Sequence, residues 1–353
     1  MFCLLIAGGI GALSWWITDR LVTQSSFLHS LDHPNERSLH SRPVPRTGGI
    51  AIVSSLCIGV IVASLWALWR EDMTEDTSRQ FIETIWILGS TFFLSAVSLL
   101  DDRRGLPVVI RFGLQFLAAC AVVFGGKIFF HSITIPLAGT INLGYAAIPL
   151  TVIFLLWMTN LYNFMDGMDG FAGGMTAVGF GLLGYFAGTG GHPLMFCVAV
   201  IHAAAATGFL FSNFPPAKIF MGDVGSISTG YLAGSLIVLG CRDGLFDPWV
   251  PLMAFSPFIV DATVTVMRRA LQGKKIWEAH REHFYQRLVL SGWGHRKTVL
   301  AEYVMMLASG ALCLAYQYAA DEGKLGLLIL WAAFYLALAV GVRRVEHGRR
   351  AAV

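Results

Sequence analysis

Along the chain, long apolar runs alternate with short polar connections. Runs able to cross ~30 Å of hydrocarbon lie near residues 1–18, 49–69, 82–100, 108–130, 146–162, 171–188, 193–212, 226–241, 248–267, 299–319 and 325–342. The pattern predicts an all-α polytopic membrane protein with about eleven transmembrane helices. The longest polar connections, 23–48 and 268–298, are too short for a soluble domain, and no repeat or low-complexity tract interrupts the series. Residues 1–353 therefore read as a single integral-membrane domain. One connection has strand character: 131–145 alternates β-branched residues about Gly139-Thr140 and predicts a short hairpin on the outer side.

Composition agrees with a bilayer as solvent, since 56% hydrophobic and 13% charged residues lie outside the soluble range. Charge then orients the chain. Segments 19–48, 101–111, 213–225, 268–298 and 343–353 hold 20 of the 25 Lys and Arg, and positive charge stays on the cytoplasmic side. An odd number of spans places the N-terminus outside and the Arg343-Arg344 and Arg349-Arg350 tail inside. Met1-Phe2-Cys3-Leu4-Leu5 lacks a basic n-region and a clear cleavage site, which predicts a retained first helix. Cysteines 3, 57, 120, 197, 241 and 313 stand singly in apolar runs with no CxxC pair, so they read as packing residues and not as a disulfide framework or zinc site.

Polar chemistry gathers where helices leave the cytoplasmic side. Carboxylates at a membrane edge cost free energy unless a cation or substrate partners them, so several at helix ends predict a shared site. Asp101-Asp102 closes the third run. Adjacent carboxylates repel, and a divalent cation or cationic substrate group would relieve them; Arg103 and Arg104 offer the alternative of an ordinary solvated helix end. Asn160-x-x-Asn163-x-x-Asp166-Gly-x-Asp169-Gly170 puts Asn160, Asn163 and Asp166 on one helical face if the helix extends that far. A calcium loop is rejected because Met168 and Ala177 stand where acidic ligands belong. A plain glycine turn would not need two asparagines in the preceding apolar helix.

Lys218-Ile-Phe-Met-Gly222-Asp223 joins a lysine to a glycine-flanked aspartate at a helix start, a setting for phosphate and Mg²⁺. Its alternative is Asp223 as a helix cap with Lys218 snorkelling; Walker A spacing is absent. His280-x-x-His283 lies in the most basic loop. With no HExxH and no third ligand, approach of these side chains to a diphosphate suits it better than zinc. His29, His131, His192, His202 and His347 read as packing or interfacial residues, and His295 as an added positive charge.

Together with Asp32-His-Pro34-Asn35-Glu-Arg37-Ser-Leu-His40-Ser-Arg-Pro-Val-Pro45-Arg-Thr-Gly48-Gly49, these motifs resemble the polyprenyl-phosphate N-acetylhexosamine-1-phosphate transferase family, of the glycosyltransferase family 4 type, over about residues 32–290 and in family order. The resemblance implies transfer of an N-acetylhexosamine 1-phosphate from a UDP-sugar to undecaprenyl phosphate, with release of UMP. The implied setting is the cytoplasmic face of a bacterial inner membrane, at the start of O-antigen or other surface-polysaccharide synthesis. Mg²⁺ is the implied cofactor, with Mn²⁺ as a substitute. The implied partners are the UDP-N-acetylhexosamine, undecaprenyl phosphate and the lipid bilayer, with no nucleic acid; a homodimer is left open. By motif, Asn163 and Asp223 are implied as metal contacts, Asp101 and Asp102 as the essential pair near the lipid phosphate, and Asp166 and Asp169 as lining the nucleotide region. Arg37, His40, Asn160, Lys218, His280, His283 and Arg287 are implied on the substrate side. Asp101 as base, nucleophile or positioned charge stays open. Direct in-line attack is favoured, because a lipid phosphate is largely ionised at neutral pH and phosphoryl transfer mainly needs positioning and charge neutralisation.

One departure bears on the sugar. His283 is followed by Phe-Tyr-Gln-Arg and not by a tighter histidine cluster, which resembles the branch acting on N-acetylated 6-deoxyhexosamines (FucNAc or QuiNAc) more than the GlcNAc branch; the missing histidine triplet argues against a muramoyl-pentapeptide substrate. Two rival classes fit less well. A CDP-alcohol phosphotransferase would continue its Asp-Gly motif into Ala-Arg, where this chain has Phe171-Ala-Gly-Gly-Met175. A secondary transporter would carry its charges near the bilayer midplane, whereas these lie at helix ends.

Overall fold

The computed structural model describes residues 2–23, 30–32, 34, 39, 42–69, 75–275 and 280–350. Helices α1 (Phe2–Thr23), α2 (Gly48–Trp69), α3 (Glu75–Arg104), α4 (Val108–Cys120), α5 (Ala147–Met165), α6 (Phe171–Thr189), α7 (Pro193–Asn213) and α8 (Gly222–Arg242) come first. They are followed by α9 (Trp249–Ala254), α10 (Ser256–Leu271), α11 (Phe284–Leu288), α12 (Gly294–Gln317) and α13 (Asp321–Arg350). Among the described residues nine helices are long and apolar enough to cross a membrane, so the chain is an all-α polytopic membrane protein.

α1 covers the first of the eleven expected spans but is not among those nine. The expected span 248–267 differs: the helix breaks at Phe255, and Pro257 at the start of α10 brings no backbone N–H to continue the ladder. The expected hairpin is present, with β3 (Ser132–Ile135) antiparallel to β4 (Gly139–Asn142) and Ile133 opposite Ile141. A second short pair joins β1 (Leu31–Asp32) to β2 (Val44–Pro45). The cysteine reading needs a correction. Cys3 on α1 is bonded to Cys197 on α7, while Cys57, Cys120, Cys241 and Cys313 are free. The two helices pack side by side although 194 residues separate the sulfurs in sequence, so spacing could not reveal the pair.

Helix α8 is the pillar of the bundle: 94% of its span is buried, against 6% for α13. Its sequence explains this, because Gly225, Ser226, Ser228, Gly230, Ala233 and Gly234 let neighbouring backbones come close. A Cβ on Gly49 of α2 would lie 2.1 Å from Gly225 N. Ser228 Oγ meets Ser95 Oγ of α3 at 2.6 Å, and Tyr231 Oη donates to Ala118 O of α4 at 2.7 Å. At 21 residues α8 is ~31 Å long, so Asp223 and Asp243 mark opposite ends of the bundle.

Candidate active site

The acidic motifs meet at the Asp223 end. Asp101 and Asp102 sit inside the last turn of α3. Asp101 Oδ1 accepts from Leu106 N at 2.6 Å and its Oδ2 pairs with Arg111 Nη1 at 2.8 Å, which closes the α3–α4 turn. Asp102 Oδ1 lies 3.2 Å from Arg46 Nη2. The guanidiniums on the pair thus come from α4 and from the segment before α2. Arg111 Nη1 also stands 3.5 Å from Asp223 Oδ2, between the α3 and α8 acids.

Arg46 is delivered by a backbone crossing. Phe220 N donates to Pro45 O at 2.7 Å, Gly48 N to Phe220 O at 2.9 Å and Gly49 N to Met221 O at 2.8 Å. Gly222 makes this approach feasible: its φ is +69°, and a Cβ there would lie 2.1 Å from Arg46 O.

Helix α5 persists to Met165, so Asn160 and Asn163 share a face as expected and Asp166 is the C-cap residue. Asn163 Nδ2 donates to Asp223 Oδ1 at 2.9 Å and Ser226 Oγ at 3.0 Å. Asn160 Nδ2 instead donates to Gln115 Oε1 and Leu156 O, both at 2.8 Å, tying α5 to α4. Burial, and then the charge of Asp223, push the Asp166 carboxyl well above the usual carboxylate range, against a hydrogen bond from the Gly222 backbone. Asp169 is more enclosed by its own contacts: Oδ2 accepts from Ala217 N at 3.0 Å and Oδ1 pairs with His295 Nδ1 at 3.0 Å. Lys218 is exposed beside this turn.

The histidine loop lies over the same turn. His280 and His283 have ring centroids 4.9 Å apart. Burial, with the charges of His283 and Arg269, lowers His280 to about 4, so its ring is neutral at pH 7. Tyr285 Oη donates to Phe164 O at 3.4 Å and packs against Gly167, which seats α11 on the Asp166–Gly170 turn. Arg287 points to α13, where its guanidinium forms a two-pronged pair with Glu346 at 2.6 and 2.5 Å. Arg37 and His40 lie outside the described residues.

Reading the motifs alone missed Arg46, Arg111, Asp261 and the Asp169–His295 pair. Arg111 and Asp261 lie within runs taken as apolar spans, and an ionisable residue inside such a run was the available signal. Asp101, Asp102 and Asp223 thus share two guanidiniums, Arg46 and Arg111, and Asp166 adds a fourth acid beside Asp223. This excess of acid on hard oxygen donors, at the end of a membrane bundle, suits a polyanionic substrate brought in with a cation.

The fold is that of a polytopic membrane protein, and comparison with known proteins supplies the family. A family model described as Glycosyl transferase family 4 matches residues 84–241, from α3 to α8. The chain is 34% identical over 279 residues to the Probable undecaprenyl-phosphate N-acetylglucosaminyl 1-phosphate transferase of Bacillus subtilis (strain 168), covering 78% of this chain and 74% of that one. It is 31% identical over 326 residues to the Decaprenyl-phosphate N-acetylglucosaminephosphotransferase of Mycobacterium tuberculosis, covering 85% and 79%. With the Phospho-N-acetylmuramoyl-pentapeptide-transferase of Lacticaseibacillus paracasei it shares 24% over 289 residues, covering 77% and 84%. The protein belongs to glycosyl transferase family 4.

Proposed function

We propose that this protein transfers an N-acetylhexosamine 1-phosphate from a UDP-sugar to undecaprenyl phosphate, releasing UMP, at the cytoplasmic face of a bacterial inner membrane. The observation that carries the reading is the cluster in which Asn163 and Asp223 stand between Asp101-Asp102 and Asp166, with Arg111 bridging Asp101 and Asp223. The names of the relatives, which pair a polyprenyl phosphate with an N-acetylglucosamine phosphate, support the substrate class. The product would begin a lipid-linked surface polysaccharide.

Asp223 and Asn163 fit Mg²⁺. The Asp223 side chain is 29% exposed, and the Asn163 amide nitrogen makes both of its hydrogen bonds, so the carbonyl oxygen takes part in neither. An ion that keeps few protein ligands and takes the rest from phosphate suits such a pair. Bound there, Mg²⁺ would neutralise charge on the donor diphosphate. The chain's own groups do the remainder: Arg46 and Arg111 hold Asp102 and Asp101 and offer positive charge to phosphate, and Lys218 adds another cation at the rim.

A lipid-phosphate oxygen attacks the sugar-linked phosphorus, forming a new P–O–P bond. The bond from that phosphorus to the bridging oxygen breaks, and UMP leaves with the electron pair. With donor labelled at the sugar-linked phosphorus, the label should enter the lipid fraction, and added UMP should return it to nucleotide sugar. Label left in UDP, with unphosphorylated sugar on the lipid, would overturn the proposal. A panel of UDP-GlcNAc and UDP-6-deoxy-N-acetylhexosamines names the sugar.

A further inference from the structure

Asp261 belongs to none of the family-order motifs, yet it is one of the most heavily used acceptors in the bundle. It lies on α10, 6% exposed. Its Oδ1 accepts from Phe284 N at 2.9 Å and Thr265 Oγ1 at 3.2 Å and lies 3.1 Å from His283 Nδ1, and its Oδ2 accepts from Tyr285 N at 3.1 Å. Both oxygens thus already accept from three fixed donors, as suits an acceptor-only carboxylate. Facing that acceptor, Nδ1 of His283 is the nitrogen placed to carry the proton, which leaves Nε2 for other chemistry.

The same contacts hold the backbone of residues 283–285, and Tyr285 presses on Gly167 of the turn that carries Asp166. His283 is itself 3% exposed, beside His280. From this geometry we infer that Asp261 is a positioning residue for transfer: it sets the tautomer of His283 and the seat of the histidine loop on the Asp166 turn. The inference rests on the functional reading above, with the histidine loop meeting the donor diphosphate as its motif implies.

Two measurements separate its failure from failure of that reading. The first needs no turnover: ¹⁵N-histidine spectra of the full-length protein in nanodiscs should show His283 protonated at Nδ1, and Asp261→Asn should move that proton to Nε2. Wild-type His283 protonated at Nε2 alone would overturn the inference whatever the reaction. The second is kinetic. Asp261→Asn should raise KM for the UDP-sugar by about tenfold or more, the scale for losing a carboxylate that orients a histidine, with little change for undecaprenyl phosphate.

The double variant Asp261→Asn/His283→Ala should be no worse than the weaker of its two single variants, because both remove the same device. Additive losses, equal effects on both substrates, or wild-type constants would each count against positioning through His283. Thr265→Val, which removes a donor to the same carboxylate without touching the loop, should change thermal stability and leave donor KM alone. If Asp261→Asn fails to fold, Asp261→Glu carries both readouts, with the Nδ1 proton kept and donor KM partly restored relative to His283→Ala.

Discussion

Helix α8 carries an ionisable cluster at each end, and the two are built to opposite accounts of charge. At the Asp223 end Asp101, Asp102 and Asp223 share two guanidiniums, and Asp166 adds a fourth acid beside Asp223. At the Asp243 end Arg242 lies 2.8 Å from both Glu83 Oε1 and Asp243 Oδ1, and Arg79 lies 3.3 Å from Glu83 Oε1, so the two buried acids meet two arginines, while a third acid, the exposed Asp76, pairs with Arg79 from outside. Ligand atoms of Glu83, His192 and Asp243 do converge within 4.8 Å. Yet His192 Nδ1 accepts from Met195 N at 3.3 Å, so Nε2 bears the proton and faces Asp243 Oδ2 at 3.3 Å. Glu83 Oε1 and Asp243 are already engaged by arginine, while Glu83 Oε2 has no hydrogen-bond partner. An arginine-matched network ties α3, α7 and α8 together; an acid-rich one leaves charge for substrate and cation.

The largest expected contrast is in turnover. Asp223→Asn should cost on the order of 10²–10³ in kcat, the scale for losing one charged contact to the transition state, while Asp243→Asn should keep most of its turnover. Equal losses in a steady-state UMP-release assay would break the comparison.

Stability should reverse the order. Arg242→Met leaves Glu83 and Asp243 buried without their main partner, which should destabilise the protein by about 3–5 kcal/mol. Thermal unfolding in detergent reads this, with donor KM in the surviving fold unchanged. A larger stability loss from Asp223→Asn than from Arg242→Met would contradict the assignment of the two ends.

The finest contrast is in pH. The Asp166 carboxyl is raised from 3.8, so the folded state favours its proton; that contribution is complete below 3.8 and fades as pH climbs through the raised value. Asp243 runs the other way. Burial opposes its charge, but hydrogen bonds from His192 and Arg242 outweigh it and lower the carboxyl, so its contribution is complete above 3.8 and lost below. Ligand-free Asp166→Asn should therefore unfold at a higher temperature than wild type at pH 8, a gain that vanishes on acidification. The deficit of Asp243→Asn should persist down to 3.8. Parallel pH profiles for the two variants would show that the ends do not differ in this way.

Much of this was legible in the linear chain. Periodic apolar runs marked the helices and the hairpin at 131–145, because membrane helices and β-branched alternation each leave a local pattern. Asn160 and Asn163 on one face followed from their spacing, as the course of α5 shows. The break at Phe255 was missed because the apolar residues around Pro251 and Pro257 keep the run's average hydropathy high, and an average does not register their lost donors. The Cys3–Cys197 bond was missed because its partners belong to helices distant in sequence.

By itself, the sequence determined that this is a polytopic membrane protein whose acids, amides and basic loops cluster at helix ends, since burying a charge in lipid is costly wherever it occurs along a chain. Which charge meets which was decided only by tertiary structure. Arg46 reaches Asp102 through a crossing that Gly222 permits, Arg111 spans Asp101 and Asp223 from another helix, and Asp261 collects the histidine loop from a later segment. Ion pairs and hydrogen bonds act over about 3 Å, a distance that links residues through the packing of helices and leaves no trace in their order along the chain.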